Sequence, residues 1–127
     1  MNNIIKQFNN IVEDLLQQTT TMLGSKYLFN FKTIVIFNSG APIDKFITIM
    51  LPYKEYIMKK NTSFFMNKNI KTPDYSTDII DLKKIFMTID DDSKNNIWDS
   101  LQALILLCED RVAINIKNQS VNKYLQV

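Results

Sequence analysis

Ile97-Trp98-Asp99-Ser100-Leu101-Gln102-Ala103-Leu104-Ile105-Leu106-Leu107-Cys108, residues 97–108, decides the fold class. Ile97, Trp98, Leu101, Leu104, Ile105, Leu107 and Cys108 recur at helical spacing, and the unbroken apolar run from Ala103 to Cys108 extends round the helix. A helix apolar on nearly every side is one enclosed by neighbours, so this segment is expected at the centre of the fold. Its upstream flank, Asp90-Asp91-Asp92-Ser93, gathers acids where a helix start is electropositive.

Working outward, the clearest amphipathic period lies at the other end of the chain. Ile4, Ile5, Phe8, Ile11, Val12, Leu15, Leu16, Thr19, Met22 and Leu23 form one stripe, and Lys6, Asn9, Asn10, Glu13, Asp14, Gln17 and Gln18 fall opposite. Asn2 or Asn3 suits the N-cap and Gly24 a left-handed C-cap. Pro42 opens a helix with Ile43, Phe46, Ile47, Met50 and Leu51 on one side. Pro52 then kinks or splits it before Tyr53-Lys54-Glu55-Tyr56-Ile57-Met58. Asp78 begins a further helix, with Ile79, Ile80, Leu82, Ile85, Phe86 and Ile89 as its apolar stripe. Phe64 and Phe65 are expected to dock into the core, and the polar run 67–76 to form a surface loop.

Tyr27 to Phe37 reads two ways. Thr33-Ile34-Val35-Ile36-Phe37 has strand-forming composition, while Tyr27, Phe31, Ile34, Val35 and Asn38 make a helical row. Helix is preferred, because a lone strand has no partner elsewhere in the chain. The expectation is an all-α, single-domain bundle of five or six helices covering residues 1–127, with residues 112–127 as a peripheral docking tail.

Composition sets the outer bounds. The chain has 127 residues, 46% hydrophobic and 22% charged, which suits one globular domain with its own core. Histidine is absent, which removes Ser-His-Asp and Cys-His nucleophiles and His-containing zinc sites. With glycine only at 24 and 40, no Gly-rich phosphate loop can be built. Cys108 is the single cysteine, set among leucines that should raise its pKa. The acid triplet fails as a calcium loop, since the twelfth position counted from Asp90 is Leu101 and from Asp91 is Gln102. Asp90 to Asp92 are therefore read as helix-capping carboxylates. Asp78 with Asp81, or Glu109 with Asp110, are read as solvated helix faces and ends rather than catalytic pairs. No catalytic, cofactor-binding or metal-binding residue is assigned, and the chain is read as not an enzyme.

Basic charge comes from fourteen lysines and one arginine, Arg111, with a net charge of +2. Lysine lacks the planar fork that reads guanine edges, so sequence-specific nucleic-acid recognition is poorly equipped. Non-specific binding of single strands is the alternative function, carried by Tyr53, Lys54, Tyr56, Lys59, Lys60 and Lys68, where lysines would meet phosphates and aromatics would stack on bases. Six aspartates and two lysines between Asp74 and Asp92 offer the same segment an internal counter-charge.

Pro42, Phe46 and Ile47, then Pro52, Tyr53 and Ile57, the pair Phe64-Phe65, and Lys94, Ile97, Trp98, Leu101, Gln102 and Leu104 form an ordered pattern over about residues 42–110. This pattern resembles small helical proteins of nucleocytoplasmic large DNA viruses, although Thr62-Ser63 stands where a charged residue is expected before the Phe-Phe pair. The resemblance implies a viral accessory protein or minor virion component with no cofactor. Its partners would be proteins, other virion proteins or a further copy of the chain among them. Candidate contacts are the outer side of the first helix, the 67–76 loop and the tail residues Tyr124, Leu125 and Val127. The first residues lack a secretory pattern, and no apolar run reaches the roughly 20 residues of a membrane span. The expected location is host cytoplasm or virion.

Overall fold

The computed structural model describes residues 2–19, 24–63 and 89–125, and every element among them is helical. They are α1 (Asn2–Gln18), α2 (Lys26–Phe37), α3 (Ala41–Met50), a 3-10 turn (Leu51–Tyr53), α4 (Lys54–Met58) and α5 (Asp91–Leu125). The expectations for Phe64 and Phe65, the 67–76 loop and residues 78–88 of the next helix lie outside the described residues; Ile89 is a bend ahead of α5, packed against the core.

α5 is the axis of the molecule, with α1, α3 and α4 packed against it. Ile97, Trp98, Leu101, Leu104, Ile105 and Cys108 supply its buried stripe. Phe8, Val12 and Leu16 of α1, Phe31 of α2, Ile43, Phe46 and Met50 of α3, and Ile57 of α4 complete the core. Phe8 meets Phe46 edge to face, with ring centroids 5.4 Å apart and planes at 73°. Each such fully buried side chain contributes on the order of 2 kcal/mol of transfer free energy.

The central helix departs from expectation in two respects. Leu106 is 50% exposed, so the 103–108 run is not enclosed on all sides. The neighbours cover one broad stripe, and Leu106 projects away from it. The helix also continues unbroken past Arg111 to Leu125, for 35 residues in all. No proline or glycine follows Pro73, so nothing in the sequence stops it.

Asp90 caps the start of α5, where its Oδ1 accepts the Ser93 amide at 2.7 Å and its carbonyl accepts the Lys94 amide at 3.0 Å. That bond to the amide of Ser93 holds the Asp90 carboxyl below the usual carboxylate range. The helical reading of 27–37 matches α2. Pro42 sits in the first turn of α3, and Pro52 splits the helix through the 3-10 turn, both as its missing N–H dictates. Asn2 and Asn3 lie within α1 rather than ahead of it. Gly24 takes φ +82°, the left-handed geometry expected of it. Among the described residues no single helix is long and apolar enough to cross a membrane.

α4 closes with a left-handed residue that is not glycine. Lys60 takes φ +52°, its amide bonds to the Ile57 carbonyl at 3.1 Å, and the Asn61 amide reaches back to Tyr56 at 2.9 Å. This is a Schellman termination with lysine at the position glycine usually fills. Gln102 of α5 adds its Nε2 to the Ile57 and Met58 carbonyls, at 3.2 and 3.1 Å, so the end of α4 is pinned to α5.

Candidate functional site

α2 has more apolar surface than its neighbours can cover. Its sequence, Lys-Tyr-Leu-Phe-Asn-Phe-Lys-Thr-Ile-Val-Ile-Phe, puts large apolar side chains on its outer side as well, among Lys26, Asn30, Lys32 and Thr33. Phe31 is buried, and Tyr27, Leu28, Ile34 and Val35 pack against the core. The surplus faces water: Phe29 is 70% exposed, Ile36 81% and Phe37 84%. Spaced at i, i+7 and i+8, they share one side of the helix with Thr33 between them. The Thr33 hydroxyl donates to the Phe29 carbonyl at 3.0 Å, so the stripe brings no unspent donor to its centre.

Beside this stripe, α1 and α2 diverge to leave an open groove of about 620 Å³, floored by Ile5, Phe31 and Val35 and edged by Ile36. Lys32 reaches Glu13 at 3.3 Å within its lining. Asn9, which its spacing placed on the polar side of α1, is buried there. Its Nδ2 donates to the Ser39 carbonyl at 2.9 Å, and its Oδ1 has no partner. The turn after α2 needs that donor, because Ser39 lies in the corner where the chain bends by 116° into α3. Asn38 shapes the corner by accepting the Gly40 amide on its side chain at 3.2 Å and the Ala41 amide on its carbonyl at 3.1 Å.

The lysine and tyrosine segment is arranged differently. Lys54 meets Glu109 at 2.6 Å, Lys59 meets Glu55 at 2.9 Å, and Lys60 meets Asp99 at 3.0 Å. Glu55 raises the Lys59 pKa through their hydrogen bond, and Lys59 lowers that of Glu55 in the same way. Tyr53 is half-buried against the core, while Tyr56 is exposed. Lys68 and Val127 lie outside the described residues, and Tyr124 and Leu125 fall in the last turn of α5, where only the backbone is described.

Glu109 faces Lys54, and Asp78 and Asp81 lie outside the described residues. Among the described residues no three Asp, Glu, Cys or His side chains gather where they could hold a metal ion. Cys108 is buried, and burial pushes its thiol up to about 12, so it is not a thiolate at neutral pH.

The sequence contained a signal for the α2 face, although spacing did not find it. A 12-residue helix with eight large apolar side chains has more of them than one face can bury, and only the placement of its neighbours shows which stay out. Compared with models of protein families, with curated proteins and with solved structures, the chain matches none.

Proposed function

We propose that this chain is a non-catalytic interaction protein that works through protein–protein contacts, as a viral accessory or minor virion component. The observation that carries it is the stripe of Phe29, Ile36 and Phe37, standing in water beside the α1–α2 groove. An exposed apolar patch is often a functional surface in a soluble protein, and three large side chains clustered on one helix face make one. In this proposal residues 78–89 complete a single-domain bundle of five or six helices, and residues 112–127 extend it as a peripheral docking element.

A catalytic role has little to draw on. There is no imidazole in the chain, and the single thiol is protonated and buried. Single-strand binding is the weaker alternative, since Lys54, Lys59 and Lys60 each give up a carboxylate neighbour before meeting a phosphate.

A photoreactive phenylalanine analogue at Phe37, introduced in the native source, tests the proposal against the same analogue at exposed Asn96. Protein adducts at 37 and none at 96 are the expected result. Equal labelling at both positions overturns it. Titration with single-stranded DNA tests the alternative: affinity that collapses with added salt and vanishes in a Lys54, Lys59, Lys60 triple alanine variant establishes it.

A further inference from the structure

We draw no further inference here: the strongest candidate, the open groove of about 620 Å³ between α1 and α2 with Asn9 in its lining, carries none, since the unpartnered Oδ1 of Asn9 is buried and nothing in the structure shows what covers the groove.

Discussion

Arg111 grips Asp44 with two parallel bonds, Nε to Oδ1 at 2.8 Å and Nη2 to Oδ2 at 3.2 Å, and so ties the middle of α5 to the first turn of α3. The only arginine in a chain of fourteen lysines sits where a planar fork is needed. Its side chain is 12% exposed, and a Cβ on Gly40 would lie 3.4 Å from Nη2. Arg111→Lys should therefore cost about 1 kcal/mol in urea unfolding, because a lysine cannot make the fork and the second oxygen of Asp44, 57% exposed, turns to water. Asp44→Asn should cost a similar amount. The double variant should lose less than the sum, and additivity would show that the two residues do not act as a pair.

Two left-handed positions, one lysine and one glycine, set different limits on substitution. Lys60 at φ +52° tolerates the strain of a side chain, and Lys60→Asn should leave stability within about 0.5 kcal/mol, whereas the β-branched Lys60→Val should lose about 1–2 kcal/mol. Gly24 at φ +82° has open space around its Cβ direction, so Gly24→Ala meets no clash. A loss of about 1 kcal/mol there would be purely conformational. Thermal melts of the three variants measure both effects.

Phe8 and Phe46 tie α1 to α3 through the core. Phe8→Ala should cost about 3–5 kcal/mol and Phe8→Leu markedly less, since leucine refills most of the volume. A double-mutant cycle with Phe46→Leu should return a coupling of about 0.5–1.5 kcal/mol from the edge-to-face contact. A coupling of zero would show that only burial matters there.

The cap at Asp90 predicts a pH dependence. Its folded-state pKa is lowered, so its contribution is present above the unfolded carboxylate pKa and is lost as pH falls through the lower, folded value. Hydrogen exchange at the Ser93 amide should accelerate, relative to amides in the middle of α5, as acid removes the cap. Asp90→Ala should show that fast exchange already at neutral pH.

Cys108 predicts the opposite direction. Its thiol is raised from 9.0 to about 12 by burial, so its contribution is full below the unfolded pKa and is lost as pH rises from about 9 towards 12. At pH 8 a thiol reagent should modify the native chain only as fast as it opens, and adding urea should restore the rate of a free cysteine. Rapid labelling without denaturant would mean that Cys108 is accessible.

Local patterning carried the helices a long way. The stripe through Phe8, Val12 and Leu16, the split at Pro52 and the acidic start at Asp90 follow from period, missing N–H groups and dipole, all properties of neighbouring residues. The same reasoning preferred helix for 27–37, where α2 now stands. It misplaced Asn9, because the carbonyl that holds that side chain in the core belongs to Ser39, thirty residues away. It stopped the apolar interest of the last helix near Cys108, because the stretch beyond loses its period while keeping a backbone that nothing interrupts.

The surface was a different matter. Lys54 and Lys60 read as free basic charges because Glu109 and Asp99 come to them from α5 only after folding, whereas Lys59 pairs with Glu55 four residues before it. Phe29, Ile36 and Phe37 fell outside the helical row of Tyr27, Phe31, Ile34 and Val35, and an apolar side chain in a sequence carries no mark of which neighbours will reach it. Period and composition are local, so the order of residues was enough to set helical segments and to withhold imidazole and glycine-loop chemistry. Which face of α2 stays wet, and which lysines are neutralised, depended on where α1, α3 and α5 came to rest, since burial and ion pairing are made between segments distant in the chain.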